Sequence, residues 1–118
     1  MRKIAKCFFV LAMLASSGFS SAYFYDGNEL YNRLKDYKSE NTQNAIKAGA
    51  GQGYILGVAD AMDGRLDPVT KFKFCLPNNV KVGQLIDVVF AYLDKNPQSR
   101  HFSAWSLVLA AYEAAFPC

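Results

Sequence analysis

The stretch VKVGQLIDVVFAYLDKNP, residues 80–97, decides the fold class of this chain. Its apolar side chains recur every three or four residues, at Val82, Leu85, Ile86, Val89, Phe90 and Leu93. This spacing places them on one face of an α-helix and the polar side chains on the other. Asn96-Pro97 closes the pattern, because proline disfavours the helical conformation in the residue before it. The stretch therefore predicts an amphipathic helix over about residues 81–94.

Three other segments show helical spacing and are bounded by capping or helix-breaking residues, at about residues 26–37, 42–62 and 99–115. In the last of them, Phe102 is expected on the apolar side. KFKFCL, residues 71–76, alternates apolar and polar residues as a strand does, but it is short and stands alone. We therefore expect a loop over residues 65–74. The predicted fold is all-α, a small four-helix bundle.

The first 22 residues have the pattern of a secretory signal peptide. A basic start leads into an apolar stretch over residues 7–19, and Ser20-Ser21-Ala22 supplies the small residues that signal peptidase reads. A membrane anchor is the alternative, but the apolar run is short for a bilayer. We predict a signal peptide over residues 1–22, cleaved after Ala22, and a single exported domain over residues 23–118.

Signal cleavage changes the charge of the protein. Three of its 13 lysine and arginine residues lie within residues 1–22, whereas all 10 acidic residues lie beyond them. The exported domain is therefore formally neutral, and its opposite charges are interspersed. It has no basic cluster of the kind that binds nucleic acid, so nucleic acid is not an expected partner.

Cys75 and Cys118 are the two cysteines that remain after signal cleavage. In an exported chain, two cysteines most simply form one disulfide, here worth about 4 kcal/mol in the chain-entropy description. A metal site and a catalytic thiol are the alternatives. A metal needs more ligands than these, and His101, the single histidine, has no obvious partners. An oxidising compartment disfavours a free thiolate.

AGAGQGYILG, residues 48–57, looks like a phosphate-binding loop in composition. Such a loop follows a strand and opens a helix, whereas these glycines lie inside a helical pattern. Gly49, Gly53 and Gly57 are spaced four residues apart and share one helix face. We expect them to let another helix approach closely, either within the fold or across a dimer.

Two polar clusters each have a catalytic and a structural interpretation. Asp60, Asp63 and Asp67 are candidates for a carboxylate site, but acid–base catalysis needs carboxylates that face one cleft, and a solvated helix end is the simpler account. Arg100-His101 has no serine and acid at triad spacing, and we expect it to bond loop carbonyls at a helix start. Neither cluster completes an active site, so we predict no enzyme, no metal and no cofactor.

Three stretches together resemble the Rap/Tai immunity proteins of type VI secretion systems: GYILGVADAMDG, CLPNNVKVGQLIDVVFAYLDKNPQSRH and SAWSLVLAAYEAAFPC. The similarity covers about residues 53–118. Its distinctive features are, in order, the Cys-x-Pro turn, Gln-Leu-x-x-x-Val, Tyr-Leu before Asn-Pro, Arg-His, and Phe-Pro-Cys at residues 116–118.

The resemblance implies a small helical periplasmic protein in which Cys75 and Cys118 are bonded. Members of the family bind a peptidoglycan amidase effector, typically a cysteine amidase, and protect the producing cell by blocking its catalytic groove with a protruding loop or helix face. They often dimerise. The implied partners are therefore an amidase effector and a second copy of the chain, with no membrane association after signal cleavage.

Two segments are candidates for contact with an effector. The first is the loop before the third helix, which mixes apolar and charged side chains: Arg65, Leu66, Asp67, Lys71 and Phe72. The second is the turn after the third helix, with Asn96, Gln98 and Ser99. We prefer the first, because such a mixture is unusual in a mere connection.

A function from another class stays open. In general plan, the chain also resembles the acid-stress chaperones of the HdeA kind, which are small helical periplasmic proteins with one disulfide. Those proteins bind unfolding clients at low pH by exposing apolar surface.

Overall fold

Four α-helices make up the computed structural model of the protein, which describes residues 24–38 and 45–118. In chain order they are α1 (Gly27–Lys38), α2 (Ala45–Met62), α3 (Val82–Lys95) and α4 (Ala104–Ala115). Within these two ranges there is no strand, only an isolated antiparallel bridge between Asp26 and Ser103. The predicted all-α fold is confirmed. The predicted signal peptide and the first residues of the predicted second helix lie outside the described residues.

The core forms where the apolar faces of the four helices meet. The fully buried large side chains are Leu30, Leu34, Ile55, Phe74, Ile86, Val89, Leu93, Val108, Leu109 and Tyr112. The stripe that the sequence places on α3 supplies Leu85, Ile86, Val89 and Leu93 to this core. Each such burial is worth about 1.5–3 kcal/mol relative to an exposed side chain, so the helices are stabilised mainly by packing.

The close approach of α1 and α2 occurs at Gly51. A Cβ atom at this position would lie 2.9 Å from Cβ of Arg33, which is nearer than two carbon atoms can pack. Gly49, Gly53 and Gly57 are exposed, and a Cβ there would have no atom of the described residues within 4 Å. The prediction that these three glycines admit another helix of the same chain is therefore wrong. Contact with a second copy stays a prediction.

The connection between α3 and α4 corrects the predicted start of the last helix. Pro97–Ser99 forms a 3₁₀ turn, and α4 begins only at Ala104, where Ser103 caps it by accepting a bond from the amide of Ser106 at 3.4 Å. Phe102 precedes the helix and is 54% exposed, so its predicted place on the apolar side is wrong.

Arg100 holds this connection in place. Its Nε donates to the carbonyl of Leu93 at 2.7 Å and its guanidinium lies 3.8 Å from the ring centre of Tyr31 on α1. The guanidinium also donates to the carbonyl of Asp94 at 3.3 Å, so Arg100 satisfies carbonyls that the end of α3 leaves free. Arg100 bonds carbonyls as predicted, but they belong to the last turn of α3 and not to a loop at the start of α4.

Candidate binding loop

The segment between α2 and α3 folds back on itself as a hairpin loop, residues 64–74. The amide of Gly64 donates to the carbonyl of Phe74 at 2.8 Å, and the amide of Asp67 donates to that of Phe72 at 3.0 Å. Two residues at positive φ turn the chain, Gly64 at 72° after α2 and Lys71 at 64° near the tip. Glycine adopts this conformation freely, whereas for Lys71 it is unfavourable and must be held by the surrounding bonds.

Asp67 stabilises the hairpin loop from inside. The residue is 7% exposed, and its Oδ2 accepts hydrogen bonds from the amide and the hydroxyl of Thr70, each at 2.7 Å. The pKa of Asp67 lies below its ordinary value, chiefly because the Thr70 amide and then its hydroxyl bond the charged carboxylate. The side chain of Trp105 adds a smaller effect in the same direction. Asp67 is therefore a structural residue of the loop and not part of its outer surface.

The base of the hairpin loop is tied to the C-terminal segment. The disulfide joins Cys75 to Cys118, whose Cα atoms lie 4.9 Å apart. The amide of Cys75 donates to the carbonyl of Phe116 at 2.9 Å, and the amide of Lys73 donates to the carboxylate of Glu113 at 2.7 Å. The predicted disulfide is confirmed, and it anchors the loop that carries the candidate contact residues.

The two phenylalanines of the loop face the core. Phe74 is fully buried, with its ring centre 4.9 Å from that of Tyr112. The hydroxyl of Tyr112 in turn donates to the carbonyl of Ile55 on α2 at 2.8 Å. Phe72 is half-buried and packs against the core cluster. Phe72 therefore positions the loop, and the part of it that a partner can reach is limited.

The surface that the hairpin loop presents to solvent is apolar at its tip and basic at its sides. Val69 is 86% exposed and Leu66 is 56% exposed, and Arg65 and Lys71 are exposed beside them. Sequence reasoning missed Val69. The available signal was the pair Asp67-Pro68, which favours turn initiation and puts the next residue at the centre of a turn.

The second candidate segment is bonded within itself. The side chain of Asn96 donates to the carbonyl of Tyr92 at 2.8 Å and accepts from the side chain of Gln98 at 3.3 Å. The amide of Ser99 donates to the carbonyl of Asn96 at 3.1 Å. These bonds close the end of α3, and the three residues add no apolar side chain to the surface. This turn connects α3 to α4, whereas the hairpin loop connects α2 to α3.

The three aspartates do not face one cleft. Asp63 accepts the amide of Leu76 at 2.8 Å, Asp67 is bonded inside the hairpin loop, and Asp60 is exposed on α2. In residues 24–38 and 45–118, no group of three or more His, Cys, Asp or Glu side chains is arranged to hold a metal ion. His101 is exposed, with its ring centre 4.3 Å from that of Phe102.

Fold and surface together define a small helical domain, closed by a disulfide, that presents a preformed loop. The family model of the Rap1a immunity proteins matches residues 26–118, and the chain therefore belongs to the Rap1a immunity protein family. The resemblance to immunity proteins is confirmed. No curated protein matches the chain. None of the helices in the described part of the chain is long and apolar enough to span a bilayer.

Proposed function

We propose that this protein is a periplasmic immunity protein that binds and occludes a peptidoglycan amidase effector of a type VI secretion system, and so protects the cell that produces it. Membership of the immunity family supports a binding role. The observation that carries the proposal is the hairpin loop, which is held by internal hydrogen bonds and exposes the apolar side chains of Leu66 and Val69. Exposing apolar side chains to water costs free energy, and a partner that covers them recovers it, so exposed apolar patches often mark binding sites.

Occlusion of the effector groove requires binding but no catalysis by this protein. The hairpin loop is held by its internal hydrogen bonds and by the disulfide, so little conformational freedom is lost when a partner takes it up. Leu66 and Val69 enter the effector groove in this proposal, with Arg65 and Lys71 at its rim. Asp67 and Phe72, which were predicted as contact residues, act by holding the loop in shape.

The proposal extends to location and assembly. We place the mature protein, residues 23–118, in the periplasm after cleavage of the signal peptide at Ala22, and we propose a homodimer there. The mass of the mature chain purified from a periplasmic extract tests the cleavage site. Sedimentation equilibrium of the oxidised protein tests the dimer.

The decisive experiment is co-expression with a periplasm-directed peptidoglycan amidase effector of a type VI secretion system, with lysis as the measurement. The wild-type chain is expected to prevent lysis and to co-purify with the amidase. The double variant Leu66→Ser/Val69→Ser is expected to lose protection. Ile46→Ser is the matched control, because Ile46 is 89% exposed but lies at the opposite end of α2 from the loop.

Failure of the folded, oxidised wild-type chain to protect or to bind would contradict the proposal. In that case, suppression of client aggregation at about pH 2–3 by the purified protein would support the chaperone function instead. Equal protection by the wild-type chain and the loop variant would remove the hairpin loop from the mechanism.

A further inference from the structure

We infer that the surface receiving the hairpin loop is an apolar pocket with an acidic rim, so that the partner is selected by charge as well as by shape. This inference rests on the proposed function for the kind of partner. It goes beyond it by assigning the chemistry of the partner's surface and the residues that read it: Arg65, Leu66, Val69 and Lys71.

The first step is the sign of the charge on the loop. Arg65, Lys71 and Lys73 are exposed, and all three are basic. The acidic residue of the same segment, Asp67, is 7% exposed, and its carboxylate accepts hydrogen bonds from the amide and the hydroxyl of Thr70. The hairpin loop is therefore positive on the outside, although the exported domain as a whole carries equal numbers of acidic and basic residues.

Acidic groups also lie near the base of the loop, and two of them are hydrogen-bonded to backbone amides there. Glu113 accepts the amide of Lys73 at 2.7 Å, and Asp63 accepts the amide of Leu76 at 2.8 Å. Both carboxylates serve backbone amides near the disulfide, below the tip. Within residues 64–74 the exposed charged side chains are therefore basic, namely Arg65, Lys71 and Lys73, whereas the exposed acidic Asp60 and Asp63 precede the loop.

The second step is the placement of these charges around an apolar tip. Val69 is 86% exposed and directly follows the exposed Pro68, and Leu66, two residues before Pro68, is 56% exposed. An apolar centre with charged side chains at its edge is the arrangement of a protein interface, in which the centre is desolvated and the rim stays wet. A complementary partner then has an apolar centre and carboxylates at its edge.

The third step is rigidity, because charges on a mobile loop select a partner poorly. Lys71 is held at a φ of 64°, with its amide bonded to the carbonyl of Asp67 at 2.9 Å. Arg65 is fixed at the other side, where its amide donates to the carbonyl of Met62 at 2.9 Å. The side chains of Arg65 and Lys71 therefore extend from fixed backbone positions on the two arms of the loop, Arg65 near its base and Lys71 near its tip.

The test measures association kinetics with the type VI secretion amidase used in the protection experiment, produced in a catalytically inactive form. Arg65→Glu/Lys71→Glu is expected to lower the association rate constant by about 10-fold or more at low ionic strength. The difference should shrink as salt is raised to about 0.5 M, because screening shortens the reach of these charges. Arg65→Gln/Lys71→Gln, which removes charge without reversing it, should lie between the double reversal and the wild type.

The matched control is Lys47→Glu. Lys47 is also exposed, and it lies in the first turn of α2, about 22 Å along the helix from its last residue. Its reversal should leave the association rate constant within about 2-fold of the wild-type value. Circular dichroism and thermal unfolding of each variant show that the comparison is made between folded proteins.

The outcomes separate this inference from the proposed function. Wild-type binding with a slower double reversal and an unaffected control supports the acidic rim. Wild-type binding that the double reversal and the double glutamine variant both retain at full rate overturns it and leaves occlusion standing. Equal slowing by the double reversal and by Lys47→Glu also overturns it, since net charge alone would then explain the effect. No binding by the wild-type protein overturns the proposed function itself.

Discussion

Two glycines of α2 provide a sharp test of how the bundle packs. Gly51 and Gly53 lie two residues apart in the same helix, and the first is buried against α1 whereas the second is exposed. Replacing glycine by alanine inside a helix stabilises it by about 0.8–1.0 kcal/mol through propensity alone. Because both sites are within the helix, this gain largely cancels when Gly51→Ala is compared with Gly53→Ala.

The steric effect does not cancel. At Gly51 the new Cβ would lie 2.9 Å from Cβ of Arg33 and 3.5 Å from Cδ2 of Leu34, whereas at Gly53 it would meet no atom within 4 Å in the part of the chain that the structure describes. Carbon atoms prefer a separation of about 3.5–4.0 Å, and Cβ of Arg33 cannot swing away as the end of a side chain can. Overpacking of this kind costs about 1–3 kcal/mol.

We therefore expect Gly53→Ala to raise the free energy of unfolding by about 1 kcal/mol and Gly51→Ala to lie about 1–3 kcal/mol below it. Urea unfolding of the oxidised protein, followed by circular dichroism, measures both values, and unchanged slopes in urea show that the difference lies in stability. If the two variants agree within about 0.5 kcal/mol, the close approach of α1 and α2 at Gly51 is refuted.

Three further predictions concern the loop and its support. Cys75→Ser/Cys118→Ser should lower the free energy of unfolding by about 4 kcal/mol, because the bonded residues are 43 apart in sequence; a loss under about 1 kcal/mol in urea unfolding would contradict this. Since the folded pKa of Asp67 is depressed, its stabilising effect is present above its unfolded pKa, near pH 4, and is lost as pH falls through the folded value. Asp67→Asn should therefore lower the free energy of unfolding at pH 7, and its difference from the wild type should shrink towards pH 2. A difference that does not depend on pH would exclude the carboxylate charge as its cause. Tyr112→Phe should lose about 1 kcal/mol in thermal unfolding, because the hydrogen bond to the carbonyl of Ile55 is removed from the core, and an unchanged melting temperature would contradict that bond's contribution.

Local patterns in the sequence predict the helices and the disulfide well. The stripe from Val82 to Leu93 repeats with the period of a helix, and any packed fold must bury it, so α3 follows from the sequence. The end of α2 at Asp63-Gly64 follows from the ease with which glycine adopts positive φ. The start of α4 is harder to predict from the sequence, because Pro97–Ser99 forms a 3₁₀ turn of its own before Ser103 caps the α-helix.

Only the tertiary structure decides which side of each element meets another. Three glycines at regular spacing predicted a packing face, yet the contact falls on Gly51, because the position of α1 is set by the whole core. In the hairpin loop, Phe72 turns inward because it packs on the core, and Asp67 turns inward where its carboxylate faces the side chain of Trp105 as well as Thr70, whereas Val69 turns outward. Spacing along the chain determines which residues can share a face, and long-range packing determines which of those faces remains for a partner.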